Sequence, residues 1–191
     1  MPYRNRVAVV SEETFRELLD PDTGVLRSGA LGAPERSTAF AIFAQRPDAA
    51  LDIEAMKAQA LRFFGARIGL TVDKHYGGYH PDTDAARMVV SADGTANGTR
   101  LIFGRPVEPA DLVAAEAAER VQNTSGMALL AQRCPTLWLV VRETEEDRVA
   151  LTIAVIFASV FLGPILSPKG DELFGVRTAR MKLEGQPRPY R

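Results

Sequence analysis

The chain has 191 residues, of which 46% are apolar and 25% charged, and its formal net charge is −1. This composition is typical of a globular chain of one domain and not of a disordered one, and the near-zero charge excludes a general electrostatic attraction to nucleic acid or acidic lipid. The single cysteine, Cys134, excludes an intrachain disulfide and a zinc site built from cysteines, and we expect it to be a buried thiol and not a nucleophile.

The first predicted elements are a strand at 6–10 and a helix that begins after Ser11. Ser11 is a good cap, and Glu12 and Glu13 interact favourably with the helix dipole. A Gly- and Pro-rich segment at 20–37 predicts a long surface loop, a type that often carries function. The apolar run before Ser11 is too short for a secretory signal, so we expect a cytoplasmic protein.

The middle of the chain predicts a strand, a helix and an antiparallel meander. A buried strand is expected at 38–44, and a helix from Asp48 or Asp52 to Phe64, where Gly65 ends it. The turn signals Asp-Gly and Asn-Gly in 92–98 join two of the strands that follow. The three strands of the meander are predicted at 67–72, 86–91 and 99–103.

The second half predicts a helix from Glu108-Pro109 to Gln122, a resumption at 127–132 and a strand at 135–142. A last strand is expected at 174–183, because VRTARMKL alternates with a period of two. Together the elements predict an α+β fold, with a mixed, largely antiparallel sheet and three to four helices packed on it. We assign residues 1–185 to a single α+β domain and 186–191 to a loose C-terminal tail.

Residues 149–166 form an apolar run without a charge, which is long enough for a transmembrane helix. However, no export signal precedes it, and its acidic upstream and basic downstream flanks would place the large N-terminal part outside the cell. Its β-branched residues and Gly163-Pro164 are typical of a buried strand followed by a turn. We therefore expect a strand that is buried in the core or in an interface between subunits.

The segment 72–84, VDKHYGGYHPDTD, is the main candidate site because it contains both histidines of the chain. His75 and His80 cannot share a helical face, since Gly77-Gly78 and Pro81 prevent a regular helix. A loop folded at the glycines would bring the two imidazoles together. The same residues are also common in ordinary exposed loops, which is the competing interpretation.

Two kinds of chemistry fit this loop. Imidazole and carboxylate groups bind Zn²⁺, Fe²⁺ or Mn²⁺, and the candidate metal ligands are His75, His80, Asp82 and Asp84. Without a metal, a histidine acts as a general acid or base, and the candidate catalytic residues are His75, His80, Tyr76 and Tyr79.

Two basic residues are candidate ligand-binding groups. Lys74 lies inside the loop, and Arg105 stands before the helix start at Glu108, where a helix N-terminus favours anions. The basic residues between Arg177 and Arg191 could contact nucleic acid, an acidic partner or lipid headgroups, but the net charge of −1 favours a solvated strand edge and a loose end.

We prefer the hypothesis of a small cytoplasmic enzyme or small-ligand-binding protein that uses the His/Tyr/Asp loop. Its chemistry would be metal-assisted hydrolysis or a lyase or isomerase step with histidine as acid and base. The alternative is a non-catalytic assembly or adaptor subunit whose run 149–166 is buried in an oligomer, and a membrane-associated protein is less favoured. We expect a small-molecule ligand and a homo-oligomer, with neither nucleic acid nor membrane as a partner.

Overall fold

A computed structural model describes residues 34–46, 51–71, 85–92 and 98–185 of the chain. They form a seven-stranded sheet in the order β2-β3-β4-β5-β1-β6-β7. The strands are β1 (Ala39–Ala44), β2 (Ala66–Thr71), β3 (Ala85–Ala92), β4 (Gly98–Pro106), β5 (Thr136–Val141), β6 (Ile165–Leu166) and β7 (Leu173–Phe174). The helices are α1 (Ile53–Phe64), α2 (Pro109–Gln122), α3 (Met127–Ala131), α4 (Arg148–Phe161) and α5 (Val176–Glu184).

The predicted α+β class is confirmed. Every neighbouring pair of strands is antiparallel, and the described ranges contain five α-helices instead of the three to four expected. The extra helices come from two segments that the sequence analysis assigned to strands. The division into residues 1–185 and a tail stays a prediction.

The boundaries of α1 and α2 that capping signals predict agree with those in the structure. Asp52 caps α1, its carboxylate accepting a hydrogen bond from the Ala55 amide at 3.0 Å, and Gly65 ends the helix in the left-handed conformation with φ 59°. At the start of α2, Glu108 and Asp111 form a reciprocal capping box around Pro109. Such caps satisfy amide groups that the first helical turn leaves unpaired.

The prediction of a strand in 149–166 is wrong for most of the run, which forms α4 and reaches β6 only at Ile165. Ten of the fourteen residues of α4 are buried, because the helix lies between the sheet and helices α1 and α5. A helix buried on nearly every side shows no polar stripe, so its sequence resembles a buried strand. None of the helices in the described ranges is both long and apolar enough to cross a membrane.

The prediction of a last strand at 174–183 is also wrong. Only Leu173–Phe174 pair as β7, and Val176–Glu184 form α5. Ala179 is buried, and Val176 and Leu183 pack against the same core. These three positions have the i, i+3, i+7 spacing of a helix face, which the period-two pattern concealed.

The core lies on both faces of the sheet. On one face, α1, α4 and α5 cover a cluster centred on Trp138, whose ring lies 5.6 Å from that of Phe157 and 6.0 Å from that of Phe161. On the other face, α2 and α3 cover a smaller cluster that contains Phe43 and Cys134. Helices therefore pack on both sides of the central strands.

Strand β4 is tied to both helix layers by bidentate ion pairs. Arg100 donates to the Asp147 carboxylate at 2.6 and 3.0 Å, and Asp147 caps α4 on one face. Arg105 donates to Asp111 at 2.6 and 2.8 Å at the start of α2, on the other face. Paired, hydrogen-bonded charges of this kind fix the position of one element on another.

Candidate functional site

The loop predicted as the main site lies outside the described residues, at 72–84. This applies to all of its candidate residues, namely Lys74, His75, Tyr76, Tyr79, His80, Asp82 and Asp84. Its two ends belong to neighbouring strands, since Thr71 of β2 pairs with Arg87 of β3. The catalytic, ligand-binding and metal roles of these residues therefore stay predictions.

Arg105 lies at the end of the sheet where this loop begins, because Ala85 of β3 pairs with Phe103 of β4. Its guanidinium is held by the buried Asp111 carboxylate, and this hydrogen bond outweighs burial and raises the pKa of Arg105. A guanidinium paired in this way stabilises the fold at that position, while its predicted role in ligand binding is untested.

Within the described ranges, no group of three or more His, Cys, Asp and Glu residues is arranged to hold a metal ion. Cys134 is buried as expected, its thiol lies 3.3 Å from the Leu130 carbonyl oxygen, and burial raises its pKa to about 11. A thiol with so high a pKa is a poor nucleophile, because the thiolate is the reactive form.

Two pockets lined by described residues are candidate ligand sites. The first, here called the apolar pocket, has a volume of about 530 Å³ and lies where α1, α3, α4 and α5 approach one another. Most of its lining is apolar: Phe63, Phe64, Met127, Leu130, Leu162 and Val176. Its volume is within the range of about 300–1,000 Å³ that is usual for small-molecule sites.

The turn after α4 shapes the apolar pocket. Leu162 has a φ of 56°, in the left-handed region, and its side chain is 65% exposed. The next residue is glycine for a steric reason, since a Cβ at Gly163 would lie 1.7 Å from the Phe43 carbonyl oxygen. Leu162 is the C-cap of α4, and a left-handed residue is common where helices end, so it is its exposed side chain that contributes to the pocket.

Three polar side chains border the apolar pocket, and Arg180 of α5 is the charged one. Its guanidinium carbon lies 5.8 Å from the centre of the Phe64 ring. One guanidinium nitrogen, Nη2, lies 3.6 Å from a carboxylate oxygen of Glu184. The other two are Gln59 of α1 and Ser159 of α4. One cation beside an apolar lining is suited to a ligand with an apolar body and one anionic group.

The second pocket, here called the charged pocket, has a volume of about 500 Å³. It lies where β5 ends and β1 begins, and Phe40, Leu151 and Phe174 form its apolar part. Its basic residues are Arg142, Arg148, Lys169 and Lys182. Its acidic residues are Glu145, Glu146, Asp147, Asp171 and Glu172.

The described end of the Gly- and Pro-rich loop lies beside the charged pocket. Arg142 donates to the Ser37 carbonyl oxygen at 3.4 Å, just before β1 begins. Strand β5 runs antiparallel to β4, so it begins beside the last residues of β4, where Arg105 lies, and its last residue lies at the opposite end of the sheet. The charged pocket is therefore remote from Arg105. Residues 34–37 and Arg105 thus lie at opposite ends of the sheet.

Lys182 and Glu172 form the closest ion pair in the charged pocket. The Lys182 ammonium lies 2.6 Å from the Glu172 carboxylate and 5.3 Å from the centre of the Phe174 ring. The two side chains are 31% and 23% exposed. Burial lowers the pKa of Lys182 and outweighs the opposite effect of the nearby Asp171 carboxylate.

Neither Arg180 nor Lys182 was predicted as a site residue, because a strand at 174–183 would place both on one face. In helix α5 the two side chains project about 200° apart, which directs them to different pockets. The sequence signal that could have indicated a helix here was the i, i+3, i+7 spacing of the apolar residues Val176, Ala179 and Leu183.

Comparisons of the chain with protein-family models, with curated proteins and with solved structures give no match in any of the three searches. The functional interpretation therefore rests on the geometry of the described residues.

Proposed function

We propose that the protein binds a small molecule with an apolar body and one anionic group in the apolar pocket. The observation that carries this proposal is the pocket itself: about 530 Å³, lined by side chains from four helices, with Arg180 as its cation. Burial of a ligand's apolar surface against these side chains supplies affinity, and the guanidinium supplies orientation.

The protein's own packing leaves apolar surface available in this region. Phe63 is 40% exposed and Leu162 is 65% exposed, although both are large hydrophobic residues. Neighbouring exposed apolar side chains mark interaction sites more often than single ones do. A ligand that covers them would remove this surface from water.

The test uses anilinonaphthalene sulfonate (ANS), whose aromatic body and single sulfonate match the proposed ligand class. We expect saturable binding by fluorescence titration, and an affinity about fivefold lower in Arg180→Gln, the scale of a partly exposed charge interaction. Arg120→Gln is the matched control, since Arg120 also pairs with a glutamate one turn away but lies on α2, outside both pockets.

A second pair of variants tests the position of the site. We expect Ser159→Trp, which places an indole ring in the apolar pocket, to weaken ANS binding strongly, whereas Ser159→Ala leaves the pocket open and retains binding. Near-ultraviolet circular dichroism checks that both variants remain folded. Undiminished binding in a folded Ser159→Trp protein would contradict the proposal.

The loop 72–84 remains a second candidate, for metal-assisted or histidine acid/base chemistry. It is favoured by the pairing of β2 with β3, which holds its ends close together near the end of β4. Elemental analysis of the wild type beside a His75→Ala/His80→Ala double variant tests it. Near-stoichiometric metal that the variant lacks supports a metal site, and metal-free protein in both cases removes that part of the proposal.

The alternative of an assembly or adaptor subunit has less support than the sequence suggested. Its basis was the apolar run 149–166, most of which is buried within the described part of the chain as α4 and β6. Homo-oligomerisation stays a prediction, and sedimentation at micromolar concentration tests it.

A further inference from the structure

The charged pocket contains a lysine in a setting unlike those of the other described lysines. Lys57 is 47% exposed and pairs with Glu54 at 2.7 Å, but it lies outside both pockets. Lys169 also lines the charged pocket, but it is 61% exposed and approaches the Glu145 carboxylate only to 3.9 Å. Lys182 is 31% exposed, has a carboxylate at 2.6 Å and lines the cavity of about 500 Å³. It is therefore the described lysine best placed to meet a bound small molecule.

Its neighbours supply the groups that an amine needs to react with a carbonyl compound. The Glu172 carboxylate, 2.6 Å away, is positioned to accept a proton from the ammonium. The buried Phe174 ring packs with its centre 5.3 Å from the Lys182 nitrogen. The partly exposed Phe40 and Leu151 offer a surface for an apolar substituent within the same pocket.

We propose that Lys182 forms a reversible imine with a small aldehyde or ketone that carries an aromatic or other apolar substituent and enters the charged pocket. This site is independent of the function proposed for the apolar pocket. Lysines that react in this way are usually partly desolvated, which increases the fraction of neutral amine, and burial has this effect on Lys182.

The step is balanced without a further reagent. Glu172 accepts a proton from the Lys182 ammonium, and the neutral amine adds to the carbonyl carbon. The oxygen of the resulting carbinolamine takes up that proton and one from the nitrogen and leaves as water. The C=N bond of the imine replaces the C=O bond, and hydrolysis reverses each change.

The competing interpretation is an ion pair with a structural role only. Lys182 of α5 and Glu172, in the segment before β7, join two elements, and such pairs often stabilise a fold without chemistry. The two interpretations differ in one observable, because a purely structural pair gives Lys182 no advantage over exposed lysines in reacting with a carbonyl probe.

The experiment treats the full chain with benzaldehyde and sodium cyanoborohydride, which reduces the imine to a stable benzyl adduct, and measures the adduct at each lysine by peptide mass spectrometry. Lys57 and Lys169 are internal controls in the same molecule. We expect the adduct to form at Lys182 at least about fivefold faster than at either control. Equal or slower labelling at Lys182 would overturn the proposal.

Glu172→Gln tests the role of the carboxylate, and Glu145→Gln is its control, because Glu145 lines the same pocket beside a different lysine. We expect Glu172→Gln to slow labelling at Lys182 to the rate at the exposed lysines, and Glu145→Gln to leave it unchanged. Thermal unfolding confirms that both variants are folded. An unchanged rate in folded Glu172→Gln would overturn the proposed proton transfer.

Discussion

The apolar pocket and the charged pocket have nearly equal volumes, about 530 and 500 Å³, and opposite chemical character. Helices α4 and α5 contribute to both. On α5, Arg180 borders the apolar pocket, whereas Lys182, two residues later, lines the charged one. One short helix therefore serves two separate sites, because successive side chains of a helix point in different directions.

The two pockets also differ in what completes them. The apolar pocket is lined by helices and by the turn at Leu162, while the charged pocket is closed by the segments 142–148 and 167–172. Sites on helices are held more rigidly than sites on loops. We therefore expect substitutions in the shared core to affect both pockets and substitutions at the borders to affect only one.

The largest effect is expected from Asp147→Ala, at the border of the charged pocket. The substitution removes the cap of α4 and the buried, bidentate partner of Arg100, whose side chain is 11% exposed, and leaves that guanidinium only the 65% exposed Glu143 carboxylate at 3.1 Å. Breaking a buried pair in this way costs about 3–5 kcal/mol of unfolding free energy. Urea denaturation measures this loss. Glu145→Ala, in the same pocket but 80% exposed, should change stability by less than about 0.5 kcal/mol.

The same carboxylate predicts a pH dependence. Burial raises the pKa of Asp147, but hydrogen bonds from Arg100 and from the Glu143 and Ala150 amides outweigh it, so the net pKa is lowered. The stabilisation is therefore complete above the unfolded-state pKa of about 3.9 and is lost as the pH falls through the lower, folded-state value. Urea unfolding at pH 6 and below pH 4 should show the difference between wild type and Asp147→Asn shrinking at the lower pH; a constant difference would contradict the account.

An intermediate effect is expected from Gly104→Ala, in the core that supports both pockets. A Cβ at Gly104 would lie 2.8 Å from the Trp138 ring, which packs against Phe157 and Phe161 of α4. Overpacking of this kind costs about 1–3 kcal/mol. Gly69→Ala is the control, because its Cβ would meet nothing closer than Val89 at 4.0 Å. Equal effects of the two substitutions on the thermal midpoint would argue against this packing.

The smallest effect is expected from Leu162→Gly, at the border of the apolar pocket. Glycine removes the cost of the left-handed conformation, so we expect a gain of about 0.5–1 kcal/mol in stability. ANS affinity should fall at the same time, because an apolar contact is lost. Leu129→Gly, at a similarly exposed residue within helix α3, should instead destabilise the protein, by about 1 kcal/mol. Thermal unfolding and ANS titration measure both quantities, and a loss of stability in Leu162→Gly would contradict the account.

Local signals in the sequence predicted the helices and strands whose ends carry capping or turn residues. Asp52 and Gly65 bounded α1, and Glu108-Pro109 marked the start of α2. The strands of the meander were predicted within a few residues, because turn residues separate them. Capping and turn chemistry act over a few residues, so they are visible without the tertiary structure.

The apolar run 149–166 was wrongly predicted as a strand, because the pattern of apolar and polar residues in a helix depends on the elements that surround it. Burial on almost all sides removes the polar stripe of α4, and the remaining β-branched residues favour a strand. The cap at Asp147 was the local signal for a helix. Both described pockets were missed for the same reason, since they depend on which helices meet, and the sequence-predicted loop 72–84 lies outside the described residues.

The most direct test of two separate sites is an amide-resonance NMR titration of the isotope-labelled chain with ANS. We expect shifts for residues of the apolar pocket, including Leu162 and Val176, and none for the segment 167–172 of the charged pocket. The same shifts should be weaker in Arg180→Gln. Shifts of equal size at 167–172, or shifts spread evenly over the surface, would contradict the claim that the apolar pocket is a distinct ligand site.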